Sequence, residues 1–270
     1  MKLKFTKMNG AGNDFVCLNN LKGELRLTRK VIARLCDRQA GVGSDGLLVL
    51  EKAVPGAGDV RMRYYNPDGG EAEMCGNGAR CFARYAARAL RWRKPTITFQ
   101  TKAGLVTGEF LEAEVRVGLT EPEPSGAVRA LEVNGRTLEV HSINTGVPHA
   151  VVFVSDVEAV DVLSDGRAIR RHAAFEPKGT NVNFVQMMGS RRLRVRTYER
   201  GVEGETLACG TGVTAAALLA HAVHGVKGPV KVRVQSGADL MVGFCRVGSG
   251  FEQVTLHGPA QFVFEGEIDV

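Results

Sequence analysis

The sequence predicts an α+β protein made of two pseudo-symmetric halves, each a sheet wrapped around one central helix. Three observations carry this reading: short apolar segments of strand character dominate the chain, two helix-like runs each begin at a cysteine followed by Gly-x-Gly, and the surroundings of those cysteines keep a common register. Aligned on Cys75 and Cys209, Glu71 and Glu205 stand four residues before, Gly76 and Gly210 one after, Gly78 and Gly212 three after, and Pro95 and Pro229 twenty after. Arg63-Tyr64-Tyr65 and Arg196-Thr197-Tyr198 precede the two cysteines at nearly equal distance.

In chain order, NDFVCLN (13–19) and GLLVL (46–50) read as short apolar strands. Between them Thr28 can cap a helix whose apolar positions Val31, Ile32, Leu35 and Cys36 share a face. VRMRYY (60–65) alternates as a strand, and NPDGG turns the chain abruptly. After Cys75 the apolar positions Ala79, Phe82, Ala83, Ala86, Ala87 and Leu90 recur at helical spacing, while Arg80, Arg84 and Arg88 mark the opposite face. Strand character resumes at TITFQT and continues in short segments to about residue 118, where TEPEPSG breaks it. LEVNGRTLEV (131–140) has Asn-Gly between two apolar runs, a hairpin signal. Strands follow near 150–154, 182–187 and 193–198, and ACGTGVTAAALLAHAVHG then opens a helix that is apolar almost all round and must be buried. The halves therefore fall at 1–119 and 120–259, with a last strand at about 260–270 returning to the first half.

At 270 residues the chain can bury a large core without disulfide staples, and 44% hydrophobic with 24% charged residues is a globular balance. The net charge of +6 comes from scattered Lys and Arg, and a single Trp gives no stacking platform, so a nucleic-acid partner is not expected. The N-terminal MKLKFTKMNGAGNDF lacks the apolar core of a signal peptide, and no stretch approaches the roughly 18 apolar residues of a membrane span. A cytoplasmic protein without a membrane partner is the expectation. Its six cysteines, lacking CxxC pairs, should be reduced. Cys17, Cys36, Cys81 and Cys245 lie within apolar patterns and are assigned to the core. The wrong Cys75 to Cys81 spacing and the dispersed histidines argue against zinc, and with neither GxGxxG nor GxxxxGKS present no cofactor is expected.

Cys75 and Cys209 are different. A cysteine at a helix N-terminus has its thiolate stabilised by backbone N–H groups and the helix dipole. Two such thiols on related halves can face one cleft, one removing a proton from a carbon while the other returns a proton to its opposite face. That is racemisation or epimerisation without a cofactor. Taken singly, either cysteine reads as a small buried hydrophobe.

KMNGAGNDF, YYNPDGGEAEMCGNGAR and YERGVEGETLACGTGVTAAA resemble the diaminopimelate epimerases along essentially the whole chain. The resemblance implies strongly curved, mostly antiparallel sheets around the central helices, a homodimer, and cofactor-independent interconversion of LL- and meso-diaminopimelate on the route to lysine. It makes Cys75 and Cys209 the acid/base pair. It carries substrate contacts over to Asn13, Asn66, Gly76, Asn77, Asn181, Glu199, Arg200, Gly210 and Thr211, and tuning of the thiols to His149 and Glu199. The chain departs from the family at Val147, where an Asn is common, and at Gly46, where a Gln is common; Asn144 is the nearby amide that could stand in for the first. A proline-racemase-like enzyme would use the same pair, but that group usually has His at the position of Asn77 and lacks the YERG segment. The non-enzymatic alternative is a ligand-binding or redox protein in which the two thiols join reversibly.

Overall fold

A computed structural model describes residues 2–126 and 128–270. The chain forms two compact units, Met1–Gly118 with His257–Val270, and Leu119–Leu256. The first contains β1 (Lys2–Gly10), β2 (Asn13–Asn19), α1 (Arg29–Cys36), β3 (Gly46–Glu51), β4 (Val60–Tyr65), β5 (Glu71–Ala72), α2 (Gly76–Ala89), β6 (Thr96–Thr101), β7 (Gly104–Leu111) and β8 (Glu114–Gly118). β1 and β2 are antiparallel, β2 and β3 parallel, β3 and β4 antiparallel; β4 then pairs antiparallel with β5 and parallel with β6, and β6 antiparallel with β7. Each parallel step needs a crossover, and α1 and α2 supply them. The final strand of the chain, Gln261–Asp269, lies antiparallel to β1.

The second unit contains β9 (Arg129–Val133), β10 (Arg136–Asn144), β11 (Pro148–Val154), α3 (Val162–Arg170), β12 (Asn181–Met187), β13 (Arg192–Glu199), β14 (Gly204–Thr206), α4 (Gly210–His224), β15 (Val230–Arg233) and β16 (Asp239–Val247). Its pairing order follows that of the first unit step for step: β10 and β11 antiparallel, β11 and β12 parallel, β12 and β13 antiparallel, β13 antiparallel with β14 and parallel with β15, and β15 antiparallel with β16. β17 (Gly250–Pro259) and β18, the Gln261–Asp269 strand, complete the chain.

Local chemistry accounts for these elements. Thr28 caps α1 by accepting from Val31 N at 3.3 Å, and Ile32, Leu35 and Cys36 bury the face the sequence marks. That face packs on Val16, Leu18, Leu47 and Val49. α2 packs on the sheet as well, with Phe82 fully buried and its ring 5.0 Å from that of Phe99, so Phe82→Ala should cost about 3–5 kcal/mol. A helix on each face explains why β2 and β3 are buried in continuous runs where a half-exposed strand would alternate. In the second unit α3 packs on Val152, Val182, Phe184 and Tyr198. Asn134 and Gly135, at φ 50° and 77°, take the two left-handed positions of the β9–β10 hairpin. Among the described residues no helix is long and apolar enough to cross a membrane.

Two expectations are corrected. Arg80, read as marking the face opposite the apolar one, is fully buried like the apolar positions, because its guanidinium finds acceptors inside the protein: Asn77 Oδ1 at 2.8 Å and the Gly76 and Pro259 carbonyls at 3.4 Å. Cys245 is exposed near the end of β16, with Sγ 3.5 Å from Gln253 Oε1, whereas Cys17, Cys36 and Cys81 are buried.

Candidate active site

Each unit places a cysteine at the N-cap of a helix. Cys75 precedes α2 with extended backbone (φ −134°, ψ 120°), and Ala79 N donates to its carbonyl at 2.7 Å. Cys209 precedes α4 in the same conformation (φ −121°, ψ 108°), and Val213 N donates to its carbonyl at 2.9 Å. The first-turn amides after each cysteine, those of Gly76-Asn77 and Gly210-Thr211, stand outside the helical ladder and form a site for anions.

What leads into each cysteine is also matched. On one side Arg63 Nε and Nη2 donate to the two Glu71 carboxylate oxygens at 3.0 and 2.8 Å, and on the other Arg196 Nε and Nη2 donate to Glu205 at 2.7 and 2.8 Å. Both forks join the strand leading toward the cysteine to the segment four residues before it. The repeated registers in the sequence thus include a repeated ion pair that fixes the approach to the helix start.

In the first unit Asn77 and Asn13 belong to a directional chain. Arg80 Nη2 donates to Asn77 Oδ1 at 2.8 Å, Asn77 Nδ2 to Asn13 Oδ1 at 2.5 Å, and Asn13 Nδ2 to Asp45 Oδ2 at 3.1 Å. Arginine only donates and ionised aspartate only accepts, so the two ends dictate both amide orientations. Arg38 closes the far end, donating to Asp45 at 2.7 Å and to both Asp14 oxygens at 3.0 and 2.8 Å. Burial works to raise the Asp14 pKa, but hydrogen bonds from Arg38 and Lys7 and the Lys7 charge outweigh it and bring it to about 2. Burial draws the Arg80 pKa down to about 10. Asn66 is exposed, and its backbone closes a turn: Asn66 N donates to the Gly70 carbonyl and Gly69 N to the Asn66 carbonyl, both at 2.9 Å.

In the second unit His149 and Asn181 are register partners on the parallel strands β11 and β12. Asn181 Oδ1 accepts from Arg200 N at 2.8 Å, which ties Asn181 to the end of β13, where Glu199 and Arg200 are half-buried. His149 is 1% exposed, and burial first, then the Arg200 charge, hold its pKa at about 3. Thr211 Oγ1 lies 3.5 Å from Cys209 Sγ, and the Thr211 carbonyl accepts from Thr145 Oγ1 at 3.0 Å. Arg80, Asp45, Thr145 and Asn183 are additions to the residues read from sequence. Asn183 had a signal, since it follows Asn181 by two residues and so shares its strand face. Two surface grooves, of about 600 Å³ beside α3 and about 440 Å³ beside the end of α2, are lined by none of these residues.

The diaminopimelate epimerase family profile matches residues 5–123 and 141–263. The chain belongs to the diaminopimelate epimerase family. A diaminopimelate epimerase of Aquifex aeolicus is 42% identical over 98% of both chains, and one of Aromatoleum aromaticum 39% identical over the full length of both. The fold is shared with a PhzF-family phenazine biosynthesis protein of Bacillus anthracis (TM-score 0.78, 16% identity, 100% of both chains). A probable proline racemase of Agrobacterium radiobacter also has it (TM-score 0.73, 16% identity, 99% of this chain and 93% of that one).

Gly46 and Asn144 are each closely held by their surroundings. At Gly46 a Cβ would stand 2.6 Å from Tyr64 Cε2 and 2.8 Å from the Tyr65 carbonyl, so the Tyr64 ring, edge-on to Phe15 at 6.3 Å, occupies the space a longer side chain would need. Near Val147, the Asn144 amide is taken up by the loop: Nδ2 donates to Glu123 at 2.8 Å and Oδ1 accepts from Gly146 N at 3.1 Å.

Proposed function

We propose that this protein interconverts LL- and meso-diaminopimelate on the route to lysine, with Cys75 and Cys209 as an acid/base pair acting on a single carbon. One thiolate takes the α-proton, leaving a carbanion stabilised by its carboxylate. The other thiol gives its proton to the opposite face, which inverts the centre with no net oxidation or reduction and exchanges the protonation states of the two cysteines. The observation that supports this most directly is the matched N-cap placement of the two cysteines, each preceded by its own Arg–Glu fork.

The first-turn amides of Gly76-Asn77 and Gly210-Thr211 are assigned to the carboxylate at the reacting carbon, where charge grows as the proton leaves. Arg200 suits the distal carboxylate, with Asn13, Asn66, Asn181 and Glu199 completing recognition of the ammonium and carboxylate groups. His149 and Glu199 tune the environment of the thiols. The protein works in the cytoplasm as a homodimer, which light scattering on the purified protein tests.

The deciding experiment is incubation of reduced protein with LL-diaminopimelate in deuterated water, following α-proton exchange and stereochemistry. Exchange coupled to formation of the meso isomer is expected, and its absence sinks the reading. Cys75→Ala and Cys209→Ala should each abolish inversion, and full activity in either would remove that cysteine from the pair.

A further inference from the structure

Asn183 lies on β12, fully buried, and both ends of its amide are committed. Nδ2 donates to the Ala150 carbonyl at 3.0 Å and lies 3.1 Å from His149 Nδ1. Oδ1 accepts from Thr197 Oγ1 at 3.0 Å. A backbone carbonyl can only accept, so the Ala150 contact settles which end of the amide is nitrogen. The reversed amide would set two acceptors against each other in a site without water access.

The second Nδ2 hydrogen is then directed at His149 Nδ1, which must receive it with a lone pair. A neutral imidazole carries one proton, and with Nδ1 accepting, that proton sits on Nε2. Among the described residues His149 Nε2 has no hydrogen-bond partner. A buried N–H left without an acceptor is costly, so this one calls for an acceptor that the described residues do not supply.

The surroundings limit what that acceptor can be. The positive charge of Arg200 acts on the His149 ring. A cation beside an N–H donor favours an anion and repels an ammonium group. The same amide also marks where this arrangement meets the cysteine helix: a Cβ on Gly212, three residues after Cys209, would stand 2.2 Å from Asn183 Oδ1. Glycine at 212 lets the first turn of α4 close down on the amide.

We propose that Asn183 is a positioning residue that fixes His149 as its Nε2–H tautomer, so that the imidazole presents a hydrogen-bond donor to a carboxylate of the amino-acid substrate. The ligand class rests on the epimerase reading; the tautomer does not. One consequence distinguishes this from a role for His149 as a base. With Nδ1 engaged and Nε2 protonated, the ring has no lone pair to take a proton from a thiol, and it acts by donation alone.

The test uses full-length protein with ¹⁵N-labelled histidine, its ring proton located by proton–nitrogen correlation NMR at neutral pH and the His149 signal assigned through His149→Gln. A proton on Nε2 is expected, and a proton on Nδ1 overturns the proposal without any assay of activity. Asn183→Asp supplies only acceptors and should move the ring proton to Nδ1, whereas Asn183→Ala should leave a mixture of tautomers. Both should raise KM for diaminopimelate about tenfold with a smaller change in kcat, the size expected for one lost donor. An altered tautomer with unchanged KM would separate His149 from substrate binding and overturn that part. If the Asn183 variants do not fold, Thr197→Val loosens the amide at its other end, and the wild-type spectrum still decides the tautomer. A protein that shows Nε2–H but no epimerisation would defeat the activity reading and leave the role of Asn183 in setting the tautomer intact.

Discussion

Arg80 donates through Nη2 to Asn77 Oδ1 at 2.8 Å, from a position with no exposed surface. The contact orients the Asn77 amide toward Asn13 and places a desolvated positive charge within the first turn of the helix that Cys75 caps. Replacing Arg80 with Met removes the charge and the hydrogen bond it gives to Asn77 Oδ1. The cost of that lost charge-assisted bond, about 1.5–3 kcal/mol, is offset in part because the desolvation penalty of the guanidinium disappears as well. Activity should therefore fall more than stability: a loss of tenfold or more in kcat/KM, equivalent to about 1.4 kcal/mol, and slower alkylation of Cys75 by iodoacetamide at neutral pH. Mass spectrometry of the alkylated peptide checks the second outcome, and an unchanged rate would mean that the charge does not act on the thiol.

His149 gives the fold an acid sensitivity of defined sign. Its pKa is near 6.5 in an unfolded chain and about 3 when buried. Below the unfolded value the unfolded state binds a proton that the folded state refuses, so stability is complete above about pH 6.5 and is lost as pH falls toward the folded value, by about 1.4 kcal/mol per unit. Urea unfolding of wild type and His149→Gln across that window should show the slope in the first and its absence in the second. Asp14, with a folded pKa of about 2, adds a loss of the same sign at lower pH, below its ordinary value of 3.8.

Much of this arrangement was legible in the sequence. The cysteine helices, the Asn134-Gly135 hairpin and the paired strands all follow from local periodicity and turn chemistry, which sequence records directly. α3 was hidden because Gly166 interrupts its pattern, although Asp161 caps it by accepting from Ser164 N at 3.0 Å. Arg80 was misplaced because helical spacing distinguishes faces by residue type and cannot foresee that a guanidinium will find carbonyl acceptors in the core. The Arg–Glu forks were visible only as matched positions. Which residues among them touch is decided by strand register, Tyr64 opposite Ala72 in one unit and Thr197 opposite Thr206 in the other, and that is a tertiary fact.

The Arg196–Glu205 fork should contribute measurably, unlike most ion pairs. Its side chains are 14% and 19% exposed, and both hydrogen bonds are short, whereas the single contact of Lys4 with Glu267 joins side chains 86% and 46% exposed. Solvent screening leaves about 0–1 kcal/mol for the exposed pair. A charge-assisted bidentate pair with little exposure should show about 1.5–3 kcal/mol of coupling in a double-mutant cycle with Arg196→Gln and Glu205→Gln. Arg196 also donates to the Val157 and Val160 carbonyls at 3.1 and 3.2 Å, so its single variant should be the more damaging of the two. Equal coupling in the two pairs would show that burial is not what sets the strength.

At Gly46 the obstacle to any side chain is steric. Restoring a side chain there sets a Cβ 2.6 Å from the Tyr64 ring and 2.8 Å from the Tyr65 carbonyl oxygen. The ring can rotate or be removed, but the carbonyl belongs to the β3–β4 ladder and can shift only by disturbing it. Gly46→Ala should therefore destabilise by about 1–3 kcal/mol, the usual range for overpacking. Tyr64→Ala should relieve only the part due to the ring. Chemical denaturation of the two single variants and the double variant separates the contributions: the double variant should be more stable than the sum of the single losses implies, yet less stable than Tyr64→Ala alone. Full recovery in the double variant would assign the whole conflict to the ring and clear the backbone of any part in it.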